Sequence, residues 1–375
     1  MTDIVLKIDP EVIIGMDIIN RAGAICKTYG SRVLLASEES LHANKCIERL
    51  TAILADSGIE AILFDEIPPL AMADTAENIA LLARAAHCAG IIGFGGIVVQ
   101  AIARMAAIIA TDELNIFDLL DGKTSTASLP YIAIPSLKED PFQTAASFIA
   151  VDPRDRAIRL VHAPRGLCKA VIIDGTFSGQ TGCAAAFDGL CIAIEAYCSK
   201  KANILSDPLL EEAITLFARI ISSYVNGTTE MGELEAQAGF LVNIGSAVSA
   251  PGIGSTLAYS IAARFPVAKS LCAAALLPAI LDKLVSCRAE KIAKVASLMG
   301  QKVEGLSDAN AALLSAVSIR SSLDRLSISI HLQSLGLDLD RLIPITEAVR
   351  NLDLVAFSPW TATSEEILNI VKQSF

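Results

Sequence analysis

GIIGFGGIVVQAIARMAAIIA, residues 90–110, is the stretch whose reading decides the architecture. Its apolar length invites interpretation as a membrane span. Gln100 and Arg104 argue against that, as do the clustered glycines Gly93, Gly95 and Gly96. The pattern instead predicts a buried strand at Ile91–Ile92, a glycine turn through Gly96, and a helix over 98–110. A strand that enters a helix through a glycine turn is the opening of a βα unit.

Working outward, the same alternation repeats. Arg32–Ser37 (RVLLAS) reads as a buried parallel strand, and residues 39–57 as a helix with apolar positions at Leu41, Ile47, Leu50 and Leu54. Ile59–Phe64 is the next strand, and 74–89 a helix with Asp74 as N-cap and Glu77 completing an acidic capping box. Tyr131–Ile134 is a further strand. Phe148–Val151 and Ala157–His162 flank the turn Asp152-Pro153-Arg154-Asp155-Arg156 as a hairpin, and Val171–Asp174 is one more strand. After about residue 181 the signals become helical: 182–198, 208–225, 230–250, 256–264, 271–285, 289–299, 308–326 and 364–373. The expected fold is an α/β N-terminal domain over 1–165, doubly wound around a mainly parallel sheet, plus an all-α helical C-terminal domain over 166–375. The cleft between the two is the default small-molecule site.

Composition agrees. Of 375 residues, 53% are hydrophobic but only 5% aromatic, which suits tightly packed helices on a buried sheet. A formal net charge of −11 argues against nucleic acid and anionic membranes as partners. The N-terminal MTDIVLKIDPEV lacks a basic region followed by a long apolar run, so a cytoplasmic location is expected. Nine cysteines form no C-x-x-C pair and are read as reduced thiols, those at Cys191 and Cys198 included. The four histidines, His42, His87, His162 and His331, are far apart in sequence.

Several segments carry a family resemblance. FDGLCIAIEAY (187–197), followed by Ser199 and ANILSD (202–207), is close to D-A-x-x-H-A-x-E-A-Y and S…A-N-P-x-[ST]-D. STLAY (255–259) and LLP (276–278) resemble H-A-x-A-H and its distal L-L-P. Ile91 to Arg104 is similar to I-I-A-V-G-G-G-S-x-x-D-x-A-K, and IAIP (132–135) to the I-A-I-P-T-T strand end. These are the motifs of the iron-containing alcohol dehydrogenases and their relatives, the glycerol dehydrogenases and maleylacetate reductases, which share a dehydroquinate synthase-like fold. They occur in family order over most of the chain. The resemblance also implies a homodimer.

It further implies one Asp and three His around a divalent iron or zinc that polarises the substrate oxygen. The Asp falls on Asp188. The histidines fall on Ile192, Ser255 and Lys269, and a further cleft histidine falls on Tyr259. One carboxylate cannot hold such an ion, because affinity comes from several donors in fixed geometry. No catalytic metal is therefore expected. Asp188 would be left as a buried charge, and the Lys269 ammonium is expected to stand in the metal's place, with Tyr259 donating to the same carboxylate.

The nucleotide loop departs from the family as well. Gly95 and Gly96 match the first two glycines of G-G-G-S, but Ile97 and Val98 replace the third glycine and the serine. Ala101 and Arg104 replace the family's Asp and Lys. The second loop, T-T-x-G-T-G-S-E, reads Ser136-Leu137-Lys138-Glu139-Asp140-Pro141-Phe142-Gln143, with acidic residues where glycines would receive phosphate. Glu38 falls on the acid that holds the adenosine ribose. Glu38, Gly95, Gly96 and Ser136 are the cofactor-site candidates, and NAD(P) binding stays open.

Two functions follow. One is a pseudoenzyme, a ligand-binding protein that keeps the fold without the metal. The other is an NAD(P)-dependent oxidoreductase of small alcohols or aldehydes; a metal-independent route for it would use Tyr259 as proton donor, with Lys269 lowering its pKa. A metal-free lyase or isomerase built on Lys269 is a third and weaker idea.

Overall fold

The computed structural model describes residues 4, 8–70, 72–111, 114–164, 166–177, 182–228 and 231–375. The chain forms two compact units, Lys7–Gly179 and Met1–Leu6 with Gln180–Phe375.

In the first unit the strands are β1 (Glu11–Gly15), β2 (Arg32–Ser37), β3 (Glu60–Phe64), β4 (Ile91–Gly95), β5 (Tyr131–Pro135), β6 (Ser147–Val151), β7 (Ile158–His162) and β8 (Cys168–Asp174). Six of them make one parallel sheet in the order β1-β8-β5-β4-β2-β3. The remaining two, β6 and β7, pair as the expected antiparallel hairpin. Helices α1 (Ala22–Lys27), α2 (Cys46–Asp56), α3 (Thr75–Ala85), α4 (Ile97–Ile109) and α5 (Ile116–Leu120) belong to this unit. The core includes Leu35, Leu50, Leu54, Ile92, Phe94, Ile132 and Ile172, all fully or almost fully buried. Fully buried central strands are the reason RVLLAS and YIAIP read as continuous apolar runs instead of alternating ones.

The second unit is helical: α6 (Cys183–Cys198), α7 (Ser206–Val225), α8 (Gly232–Val248), α9 (Ile253–Ala262), α10 (Lys269–Leu298), α11 (Asp308–Arg325), α12 (Leu339–Arg350) and α13 (Ser364–Gln373). Its core centres on α6, of which all but the first turn is buried without a break from Ala186 to Cys198. Among the described residues, α10 alone is long and apolar enough to cross a membrane, and 67% of its most apolar window is packed inside the protein.

Several expectations need correction. The first unit runs past 165, because β8 sits between β1 and β5 in the parallel sheet. The helix over 39–57 is broken: a 3-10 turn at Glu39–His42 precedes α2, and Lys45 between them is left-handed at φ 54°. Asp74 caps α3 by accepting from the Thr75 amide at 3.0 Å, not as part of a capping box, because its own backbone is already helical. By contrast, the break expected between 271–285 and 289–299 is present: α10 (Lys269–Leu298) leaves helical geometry at Arg288 (φ −140°, ψ 41°). β1, α1, α5 and α12 have no counterpart in the sequence reading. α12 carries Pro344 inside it, a residue that argues against a helix interior. Residues 1–3, 5–7, 165, 181 and 230, on which other expectations fall, lie outside the described residues.

Close packing of α6 on α7 depends on Gly189. A methyl group there would stand 2.2 Å from Cζ of Phe217, whose ring is itself buried. Gly189→Ala is expected to destabilise the protein by about 1–3 kcal/mol from overpacking, more than the roughly 1 kcal/mol that alanine gains over glycine in a helix. A urea unfolding midpoint that does not fall would show that α6 and α7 are packed less tightly than this.

Candidate functional site

Two clusters draw in nearly all the candidate residues, one in each unit. In the helical unit, α6 projects Asp188 into the core, and the carboxylate has no solvent exposure. Lys269 is the first residue of α10. Its Nζ lies 2.7 Å from Oδ1 and 2.8 Å from Oδ2 of Asp188, donating to both oxygens. The N-terminus of a helix is the end that disfavours a cation, so α10 itself does nothing to hold the ammonium there. The Tyr259 ring of α9 covers the ammonium on another side, with its centroid 4.4 Å from Nζ. The expected lysine–carboxylate pair is therefore formed, and Tyr259 meets the cation with its ring face.

The other two ligand positions have different fates. Ile192, one turn beyond Asp188, is a fully buried hydrocarbon. Ser255 is bound to Glu195, a residue the sequence reading quoted only within its motif. The Glu195 carboxylate, buried on α6, accepts from the Gly254 amide (2.6 Å), the Ser255 amide (3.0 Å) and the Ser255 hydroxyl (2.9 Å). Those amides open α9, whose first turn has N–H groups without partners inside the helix. Glu195 thus caps a helix from a different helix. Burial pushes its pKa up, and the donors from Ser255 and Gly254 oppose that shift. Burial and the negative charges of Glu195 and Asp188 push Cys191 well up, and burial pushes Cys272 to about 12. Among the described residues no group of three or more His, Cys, Asp or Glu is arranged to hold a metal ion.

In the sheet unit, Glu38, Gly95, Gly96 and Ser136 come together at the C-terminal ends of β2, β4 and β5. Strand order reverses between β2 and β4, and such a switch point is where parallel sheets take ligands. Here Glu38 Oε1 accepts from the Gly96 amide at 3.2 Å and from the Ser136 hydroxyl at 3.5 Å. The Ser136 amide donates to the Gly95 carbonyl at 3.0 Å. Burial raises the Glu38 pKa, and the bonds from Gly96, Ser40 and Ser136 oppose it. Gly95 has φ 155°, and a Cβ there would stand 2.8 Å from Val99.

Behind this turn lie two residues that the family comparison of single positions did not explain. The Gln100 side-chain amide donates to the carbonyls of Gly93 (2.9 Å), Gly95 (3.1 Å) and Ile134 (3.2 Å), lashing β4 to β5. Its oxygen accepts from the Tyr131 hydroxyl. Arg104 donates to the carbonyls of Phe142 (2.9 Å) and Ala145 (2.7 Å) and lies over the Phe148 ring. It holds the segment after β5, in which Lys138, Glu139 and Asp140 are all buried and Lys138 donates to the Phe177 carbonyl. The acidic pair of that segment is therefore inside the protein. A glutamine or arginine on a buried helix face, three to four residues apart, is the one signal that could have found this lashing.

The family comparisons join these two clusters in one lineage. The model for iron-containing alcohol dehydrogenase matches residues 9–175, and the model for the C-terminal part of the Fe-containing alcohol dehydrogenase family matches 183–375. The chain belongs to the iron-containing alcohol dehydrogenase family. This family member is 25% identical over 372 residues to the 1,3-propanediol dehydrogenase of Citrobacter freundii, covering 96% of each chain. It is 26% identical over 374 residues to that of Klebsiella pneumoniae, again covering 96% of each. A crystal structure of 1,3-propanediol oxidoreductase superposes with a TM-score of 0.90 at 22% identity, covering 100% of both chains, which establishes the shared fold.

The buried pair makes a sharp expectation for this family member. Lys269→Ala leaves an unanswered charge at Asp188 and is expected to destabilise by about 3–5 kcal/mol, whereas the apolar double variant Asp188→Leu with Lys269→Met recovers most of that loss. Urea unfolding of the wild type and these two variants measures it. A cost for Lys269→Ala below about 1 kcal/mol is what a solvent-exposed pair would give.

Proposed function

We propose that this chain is a metal-independent member of its family, a pseudoenzyme that binds a small-molecule ligand without the metal-dependent alcohol oxidation of its relatives. One observation carries the reading: the Lys269 ammonium bonds to both oxygens of Asp188. An ammonium has three donors and no lone pair, so it is no metal ligand. A second cation at the same carboxylate would face an ammonium at close range with little water to screen it.

The rest of the donor set supports the same reading. Ile192 offers hydrocarbon, and Ser255 gives its hydroxyl and amide to Glu195. The residues at these positions do not fit iron or zinc, whose tight sites need three or four nitrogen, sulfur or carboxylate donors. The positive charge that a Lewis acid supplies in relatives is here supplied by a residue of the chain. Unlike a metal, it cannot take a substrate oxygen into its coordination shell.

A second reading has its own observation. The Tyr259 ring lies against Lys269 Nζ, with its centroid at 4.4 Å, and a cation beside a phenol favours the phenolate. Tyr259 could then serve as the proton donor of a metal-free carbonyl reduction with an external hydride source. The relatives are named as dehydrogenases of small alcohols, and this reading keeps that substrate class.

Metal analysis of the full chain, after anaerobic loading with Fe²⁺ or Zn²⁺ and desalting, tests the first reading. Metal well below one ion per chain is expected, with and without loading, together with no chelator-sensitive NADH oxidation on propanal or 1,3-propanediol-derived aldehyde. One tightly held ion per chain would overturn it. The second reading requires aldehyde reduction that survives chelator and falls by about a hundredfold or more in Tyr259→Phe, the loss typical for a positioned general acid.

A further inference from the structure

The resemblance places Glu38 where relatives hold the adenosine ribose, but the side chain makes a different set of contacts. Its Oε1 accepts from the Gly96 amide at the head of α4 and from the Ser136 hydroxyl. A glycine turn running into a helix is the part of such a fold that presents N–H groups to a phosphate. Here a carboxylate of the chain already uses it.

Two side chains also border the space above the turn. A Cβ built on Gly96 would lie 3.7 Å from Leu137 Cδ1 and 3.8 Å from each oxygen of Glu38. Those are ordinary contact distances, so Glu38 and Leu137 line the face of the turn from which a phosphate would approach the backbone. The second loop gives no compensating cradle. Its Lys138 is turned to the Phe177 carbonyl, and the segment is buried and pinned by Arg104. The residues present do not fit a dinucleotide pyrophosphate.

We infer that Glu38 is an internal anion that occupies the phosphate position at the head of α4 and excludes a dinucleotide pyrophosphate. An incoming phosphate would have to displace the carboxylate from Gly96 or accept a like charge in contact with it. Glu38 is then a determinant of ligand class: the switch point of this sheet disfavours anions, and its accessible chemistry suits a neutral or cationic small molecule. This inference concerns the sheet unit and stands apart from the metal reading.

The test is the affinity of the full chain for NADH, followed by its fluorescence, and for inorganic pyrophosphate, followed by calorimetry, in the wild type and in Glu38→Gln. The wild type is expected to bind both weakly, at about millimolar or worse. Removing one contact-range like charge is expected to tighten both by about tenfold or more. If Glu38 instead holds a ribose, Glu38→Gln weakens NADH and leaves pyrophosphate unchanged, and the inference is overturned. No change in either ligand, or micromolar NADH binding by the wild type, overturns it equally. Glu38→Asp, which withdraws the carboxylate by one methylene, gives the same sign with a smaller change and serves where the glutamine variant does not fold. Metal content of the same preparations reports separately on the proposal made for Asp188 and Lys269.

Discussion

A carboxylate removed from water has to be answered by something positive, and in the helical unit that requirement organises the surroundings of α6. Bringing one such ion into a protein interior costs several kcal/mol after relaxation. α6 carries two of them, Asp188 and Glu195, seven residues and two turns apart, and therefore on the same face of the helix. The helix answers each by a different means. Asp188 is neutralised by a full charge, the Lys269 ammonium, with the electron-rich face of Tyr259 behind it. Glu195 is neutralised by partial charges, the N–H groups and hydroxyl at the start of α9. Both arrangements draw α9 and α10 onto α6 at fixed points, so electrostatics and packing position the same helices.

The sheet unit follows the second pattern. Glu38 lies at the end of a buried parallel strand and is answered by backbone and hydroxyl dipoles, not by a cation. The lashing by Gln100 and Arg104 keeps the ends of β4, β5 and the following segment in register with it. Three carboxylates in two units are thus each answered by donors of the chain itself.

Much of the fold could be read from residue patterns, because buried parallel strands announce themselves as short apolar runs and glycine turns mark where helices begin. β1 escaped because it is an edge strand in which Ile13 is the one buried residue, and α12 because Pro344 interrupts its periodicity. The Asp188–Lys269 pair was legible by an argument about charge: a lysine at a position vacated by a ligand has one buried anion to answer. Glu195 was not legible in the same way. Its role depends on which helix start meets it some sixty residues later, and one-dimensional spacing carries no trace of that meeting. Glu38 could be placed by position but not by contact, since a ribose acceptor and a cap for a glycine turn are the same residue type at the same strand end.

The two-oxygen grip of Lys269 on Asp188 also constrains how such a site can change over time. Putting an imidazole at 269 alone would strand the carboxylate, and putting imidazoles at 192 or 255 alone would place a polar ring in close-packed hydrocarbon or break the bond to Glu195. Each of these substitutions taken singly is costly to the fold. A change of the donor set here therefore has to be concerted: position 269 cannot be altered without answering Asp188, nor 255 without re-answering Glu195.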